Sequence, residues 1–187
     1  MEITKTLYVK TRAEWRSWLK QNYTTKKEIW LVFYNKASGK LRISYEDAVE
    51  EALCFGWIDS IVKKTDQHSH VQRFTPRNSK SRYSQLNKER LKRLLRKKKV
   101  IASVRKTLGD LENEKYVFAM DIIEEIMKNK EAWKNFQKFS EAYKRIRIAF
   151  IDGARVRPDV FKQRLNYFIR MTEKNKQYGT PGIEKYL

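Results

Sequence analysis

The sequence predicts an α+β fold: a small, mainly antiparallel sheet with packed helices, followed by a helical C-terminal region. Runs of strand-forming residues are confined to the first part of the chain, whereas the pattern from about residue 110 onward is helical throughout. A sizeable core is expected, since 41% of the 187 residues are hydrophobic. We therefore expect an α+β domain over residues 1–110, a helical region over residues 111–176 packed on it, and a loose tail over residues 177–187.

The first predicted elements are a short strand at residues 7–9 and an amphipathic helix after it. Thr11 and Glu14 have the spacing of a capping box, in which side chains satisfy the free backbone N–H groups at the start of a helix. The apolar run 29–34 is too short for a stable helix and rich in strand formers, so we expect a strand covered on both faces. The next helix is expected to end at Gly56.

Two further strands are predicted over residues 57–64 and 70–76, with the polar stretch 65–69 between them. An antiparallel pair is the simplest arrangement for two strands joined in this way. Three alternating side chains in this hairpin could in principle ligate a metal: Asp66, His68 and His70. A polar turn accounts for the same pattern, and we predict no metal site here.

One face of the hairpin is predicted to collect an aspartate and two cations, because side chains alternate between faces along a strand. The aspartate can hold the cations in register and leave guanidinium donors aimed at a phosphate or carboxylate. The basic, hydroxyl-rich loop after the second strand has the composition of an anion cradle. The candidate anion site consists of Trp57, Asp59, Lys63, Arg73, Thr75, Arg77, Ser81 and Asn87. The alternative interpretation is a salt-bridged sheet face with a purely structural role.

The net charge of +20 is concentrated in the middle of the chain, where residues 61–111 contain 16 basic and 3 acidic side chains. Such a charge favours an anionic partner: a phosphate-bearing ligand, nucleic acid or an anionic envelope component. A helix predicted from about residue 84 to residue 99 places a stripe of cations along its outer side: Lys88, Lys92, Arg96 and Lys99. This stripe could bind nucleic acid in a salt-sensitive manner without reading its sequence, or it could be a solvated surface.

The remaining helices are indicated by apolar spacing beyond residue 110. Two packed helices contain Trp133 and Tyr143, and a third begins at Pro158, since proline is tolerated in the first turn of a helix. Glycine and proline in the last residues, including Pro181, give no helical signal.

The sequence lacks the P-loop, dinucleotide-binding, nucleophile-elbow and zinc-protease motifs. The single cysteine, Cys54, is expected to be an inert buried thiol, which favours a reducing compartment. We predict no catalytic residue and no cofactor. Neither a membrane span nor a secretory signal is apparent, so the expected location is the cytoplasm.

Several segments taken together resemble the YdeI/OmpD-associated family, also called bacteriocin-protection proteins, with an OmdA-type C-terminal region. They include residues 30–39, 51–59 and 72–77, and the later segment that begins at residue 131. The resemblance covers roughly residues 7–176. It implies a link to stress and to resistance against bacteriocins or cationic antimicrobial peptides, but it brings no established reaction.

Three functions follow from these observations. The first is a non-catalytic anion-binding module linked to peptide resistance. Because a protein of charge +20 repels a cationic peptide, this role would be indirect, through an anionic envelope component or a regulatory partner. The second is non-specific nucleic-acid binding. The third is an enzyme or sensor for an anionic small molecule, with Asp59 as orienter or base.

Overall fold

The computed structural model describes residues 2–179 and 182–186, which form two units. The first unit consists of Met1–Arg82 and Arg90–Glu112, and the second of Tyr83–Glu89 and Asn113–Leu187. Within the described ranges, no helix is long and apolar enough to cross a membrane.

The first unit is built on a four-stranded sheet in the order β1-β2-β4-β3. The strands are β1 (Thr6–Leu7), β2 (Ile29–Tyr34), β3 (Trp57–Lys64) and β4 (Ser69–Pro76). β1 is parallel to β2, whereas the β2–β4 and β4–β3 pairs are antiparallel. The helices of this unit are α1 (Arg12–Asn22), α2 (Tyr45–Cys54), α4 (Ala102–Thr107) and the second half of α3 (Gln85–Arg96). The small, mainly antiparallel sheet predicted from the sequence is confirmed.

Aromatic side chains of α1 fill the core of the first unit against the sheet. Trp15 is fully buried, stacks on Trp18 with ring centroids 5.2 Å apart, and meets Phe74 of β4 edge-on. The start of α1 is capped as its sequence predicts, since the Thr11 side chain accepts a hydrogen bond from the Glu14 N–H. Gly56, which follows α2, has a φ of 73°, a conformation that glycine adopts without strain.

Helix α2 presents three buried glutamates to arginines of the same unit. Arg12 and Arg16 both pair with Glu51, while α3 supplies a cation to each of the other two glutamates. These further pairs are Arg90–Glu46 and Arg93–Glu50. Four arginines of this unit are therefore neutralised by buried carboxylates.

The second unit is helical, as predicted. Its elements are the first residues of α3, α5 (Met120–Met127), α6 (Lys130–Lys138), α7 (Glu141–Asp152), α8 (Pro158–Glu173) and a 3₁₀ helix (Ile183–Tyr186). Fully buried side chains from α5, α7 and α8, including Ile122, Tyr143 and Phe168, form its core.

The tail differs from the loose segment expected over residues 177–187. The Tyr143 hydroxyl donates to the Tyr178 carbonyl at 3.1 Å and accepts from the Tyr178 N–H at 2.9 Å. Ile183 and Tyr186 are buried in the core. These contacts join positions 35 or more residues apart, which is why local helical signals did not indicate them. Pro181, with residues 180 and 187, lies outside the described residues.

Candidate functional site

Asp59 does not share a sheet face with Lys63 and Arg73, so that prediction is wrong. Asp59 pairs with Phe74 of β4, and residues paired across strands point to the same side of a sheet. Its carboxylate accepts a hydrogen bond from the Gln72 amide at 2.7 Å and from the Tyr45 hydroxyl at 2.9 Å. Burial, and secondarily the Asp59 charge, raise the pKa of Tyr45 to about 12. Asp59 therefore accepts hydrogen bonds from two neutral donors and does not pair with Lys63 or Arg73.

Lys63 and Arg73 do share the opposite face. A β-bulge after Asp59 shifts the register of β3 by one residue, and this places Lys63 on the side of Arg73. The Lys63 ammonium lies 5.7 Å from the centre of the Trp30 ring, and the Arg73 Nε donates to Glu28 at 2.6 Å. Arg73 thus has a carboxylate partner already.

The other members of the predicted sheet site are divided between core and surface. Trp57 is buried, and its indole donates to the Tyr23 carbonyl at 3.1 Å. Thr75 is half-buried opposite Ile58, on the Arg73 side of β4.

The loop after β4 folds upon itself rather than forming an open cradle. The Arg77 guanidinium donates to the carbonyls of Asn78 and Ser81, and the Ser81 N–H donates to the Asn78 carbonyl at 3.0 Å. Asn87 belongs to the second unit, where its N–H donates to the Ser84 hydroxyl at 3.3 Å. Ligand binding by the eight predicted residues stays a prediction, but the structure does not gather them as proposed.

The basic stripe is not a continuous exposed face, contrary to its prediction. Lys92 is only 9% exposed, and Lys88 forms an ion pair with Glu114. Helix α3 ends at Arg96, so Lys99 lies beyond it. Of the four cations, Arg96 is the exposed one on the helix. Nucleic-acid binding by this segment stays a prediction.

The polar hairpin turn is organised by Asp66. Its carboxylate accepts hydrogen bonds from the His68 N–H at 2.6 Å and the Ser69 hydroxyl at 2.7 Å. Cys54 is fully buried, and burial raises the pKa of its thiol to about 11. Across the described residues there is no group of three or more His, Cys, Asp or Glu side chains placed to hold a metal.

A cavity of about 370 Å³ lies within the second unit. Three elements form its wall: the start of α3, one side of α7 and the C-terminal 3₁₀ helix. The lining residues are Ser84, Gln85 and Leu86, then Ile146, Arg147, Ala149, Phe150 and Gly153, and finally Ile183. The wall is therefore mostly apolar and carries one charged side chain, which is the usual character of a small-molecule site.

That charged side chain, Arg147, is 4% exposed. Its guanidinium lies 4.0 Å from the centre of the Tyr178 ring, 4.9 Å from Phe150 and 5.9 Å from Phe168. A side-chain hydrogen bond joins Arg147 to Tyr178. The Nε of Arg147 is buried without a hydrogen-bond partner, and among the residues described no carboxylate forms an ion pair with this arginine. Burial raises the pKa of Tyr178, so at neutral pH this phenol is uncharged and does not neutralise Arg147.

The start of α3 is fixed at the same cavity. The Gln85 amide donates to Glu89 at 2.8 Å, and Glu89 accepts two hydrogen bonds from Arg145 of α7, at 2.7 and 3.1 Å. The first N–H groups of a helix carry partial positive charge and attract anions. The N-terminal end of α3 and Arg147 therefore contribute positive potential to one cavity.

Phe150 forms a fixed part of the wall. The Arg164 guanidinium lies 3.7 Å from the centre of the Phe150 ring, on which Arg147 also packs, and donates to the Phe150 carbonyl at 2.7 Å. An aromatic ring held by two cations in this way is restrained in position.

Comparison with known families identifies the region that contains α7. Residues 116–175 match the family model described as bacteriocin-protection, YdeI or OmpD-associated (OmdA). The C-terminal part of the chain is an OmdA domain of the YdeI/OmpD-associated family. Residues 7–107 match a second model, a domain of unknown function (DUF8412). No curated protein and no solved structure matches the chain.

Both matched regions contribute to the cavity. Arg147 and Phe150 lie within the OmdA match, whereas Ser84 to Leu86 fall within the DUF8412 match. The OmdA-type C-terminal region expected from the sequence is confirmed over residues 116–175, whereas residues 7–107 match DUF8412. The cavity lies largely in the OmdA region.

Arg147 was not among the residues that the sequence predicted. A signal for it exists, since Arg147 follows Tyr143 by four residues and precedes Ile151 by four, and both of these are apolar positions of α7. An arginine at the centre of an apolar helix face is unusual, because charged side chains are rarely buried unless they are paired. The charge count directed attention instead to residues 61–111.

Proposed function

We propose that this protein is a non-catalytic binding module that takes an anionic small molecule into the Arg147 cavity, as part of protection against bacteriocins or antimicrobial peptides. The observation that carries the proposal is a buried guanidinium without a carboxylate partner in the described structure. A buried charge without a counter-charge is costly, and an anionic ligand removes that cost.

The net charge supports an indirect role in protection. A +20 protein attracts anions and repels cationic peptides, so sequestration of such a peptide is electrostatically unfavourable. Ligand binding that alters the contact with a regulatory or envelope partner agrees better with this charge. The single buried cysteine, Cys54, fits a reducing compartment, and we propose the cytoplasm as the place of action.

The cavity wall favours binding over chemistry. Its described lining contains no Asp, Glu, His, Cys or Lys side chain that could act as an acid, a base or a nucleophile. The Ser84 hydroxyl is engaged as a hydrogen-bond acceptor at the start of α3.

The test is isothermal titration of the full chain with acetate, benzoate, inorganic phosphate and AMP at physiological ionic strength. The variant Arg147→Met removes the buried cation, and Arg157→Gln removes an exposed arginine of equal charge as a matched control. We expect at least one of these anions to bind the wild type and R157Q equally, and R147M at least tenfold more weakly.

Two outcomes overturn the proposal. In the first, none of the anions binds. In the second, the anions bind R147M as tightly as R157Q, which would assign the binding to general surface charge. A random-sequence DNA duplex included in the series distinguishes the nucleic-acid alternative, for which binding would fall steeply with salt and be equal in the two variants.

A further inference from the structure

We infer that the ligand of the Arg147 cavity is a monocarboxylate with an apolar body, such as a medium-chain alkanoate or an aryl acid of similar size. This inference rests on the proposed function, and it specifies the chemical class of the anion.

The charge of the cavity selects a monoanion. Arg147 is the one charged side chain of the described lining. It can neutralise one negative charge of a ligand, and a second negative charge on the same ligand would have no cation to pair with. A phosphate monoester carries more than one negative charge at neutral pH and presents three oxygens that need donors. Apart from Arg147 and the start of α3 the wall is mostly apolar, so three phosphate oxygens find fewer donors there than they need.

The geometry of the guanidinium favours a carboxylate. Its N–H donors point outward in the plane of the group, and a planar carboxylate matches two of them at once. The rings of Tyr178 and Phe150 pack on Arg147, which is 4% exposed, and a hydrogen bond in such low-dielectric surroundings is stronger than one in water. Arg147 lines the cavity, so a carboxylate that enters it meets this side chain.

The remaining wall accommodates an apolar body. Leu86, Ile146, Phe150 and Ile183 line the cavity. If each non-hydrogen atom takes a volume comparable to that of one water molecule, about 30 Å³, the 370 Å³ cavity holds on the order of ten such atoms. An eight-carbon monocarboxylate has this size. Each buried CH₂ group is expected to tighten binding about fourfold until the cavity is full.

The experiment titrates the full chain with hexanoate, octanoate and decanoate, with 1-octanol as the uncharged match and with inorganic phosphate and AMP as phosphate probes. For the wild type and R157Q we expect the Kd to fall about fourfold per CH₂ from hexanoate to octanoate. We also expect 1-octanol and the phosphate probes to bind at least tenfold more weakly than octanoate.

A cavity-filling variant provides a second test, which can be carried out even if R147M does not fold. Ala149 lines the cavity and is partly exposed, so Ala149→Leu reduces the volume and leaves Arg147 in place. The preferred chain length should then become shorter by one or two carbons. An unchanged chain-length profile in A149L would place alkanoate binding elsewhere and refute the inference.

Failure of this inference is distinguishable from failure of the proposed function. Arg147-dependent binding of phosphate or AMP, without alkanoate binding, would show the wrong ligand class in a correct site. Binding of all probes that is equal in R147M and R157Q, or no binding at all, would refute both.

Discussion

Replacement of Arg147 with methionine tests whether this buried cation stabilises the fold or is held in place to bind a ligand. Methionine has a similar length without the charge, and its sulfur makes favourable contacts with aromatic rings. If the guanidinium is a structural group, its removal lowers the free energy of unfolding. If it is held for a ligand, the unliganded protein loses little or gains stability.

The magnitude follows from the surroundings of Arg147. Desolvation of the guanidinium costs several kcal/mol, since no carboxylate of the described structure pairs with it. The cation–π contacts with Tyr178 at 4.0 Å and Phe150 at 4.9 Å each stabilise the folded protein by about 1–2 kcal/mol, and the contact with Phe168 at 5.9 Å contributes less. These contributions nearly cancel. We therefore expect the free energy of unfolding of R147M to lie within about 1 kcal/mol of the wild type, or above it, which corresponds to a Tm change of about 2–4 °C.

The assay is urea and thermal unfolding of the unliganded protein followed by circular dichroism. Arg145→Met is the matched comparison, because Arg145 lies on the same helix and pairs with Glu89, which is 5% exposed. Removal of Arg145 leaves a buried carboxylate without this cation, and the expected loss is about 3–5 kcal/mol. An equal or larger loss in R147M would refute the argument that the Arg147 cation is unneutralised in the folded protein.

The remaining predictions concern the first unit. Glu46→Gln should cost about 3–5 kcal/mol in urea unfolding, because it removes the carboxylate that faces buried Arg90, and the E46Q/R90M double variant should recover part of this loss. Between pH 9 and pH 12 the unfolded chain releases protons that the folded chain keeps on Cys54, with a pKa of about 11, and Tyr45, with a pKa of about 12. The free energy of unfolding should therefore fall across this range, and less steeply in a C54A/Y45F variant; an identical slope would contradict the assignment. Gly56→Ala should lower the free energy of unfolding by about 1–2 kcal/mol, because a φ of 73° is unfavourable for alanine, and an unchanged urea midpoint would contradict this expectation.

The parts of the fold that follow from local patterns could be predicted from the sequence. The Thr11 cap, the hairpin around Asp66 and the helix that begins at Pro158 all depend on residues close together in the chain. The face of Asp59 could not be predicted in this way, because one bulge in β3 changes which side chains share a face. The contacts of the tail depend on residues far apart in sequence, such as the hydrogen bonds of Tyr143 to Tyr178.

The candidate site was missed for a different reason. Charge counting treats each arginine and lysine as a surface cation, and it therefore led to the segment that contains Lys92. In the folded chain Lys92 is 9% exposed, and Arg90 is paired with a carboxylate. A net charge of +20 thus says little about which cation is available to a ligand. The position of each cation on its helix decides that, and Arg147 lies on the buried face of α7.

The pairing of other buried arginines with carboxylates supports the proposal that Arg147 binds an anion. Arg90, Arg93 and Arg145 are each placed against a buried glutamate, so the fold neutralises cations that it removes from water. Arg147 is more buried than most of them and is packed against rings in place of a carboxylate. Aromatic rings reduce the cost of burying a cation without neutralising its charge. An anion that enters the cavity completes the pairing that the other arginines already have. If the cavity takes such an anion, ligand binding and stability of the second unit are linked, and a rise in Tm with octanoate that is absent in R147M is the direct measure of that linkage.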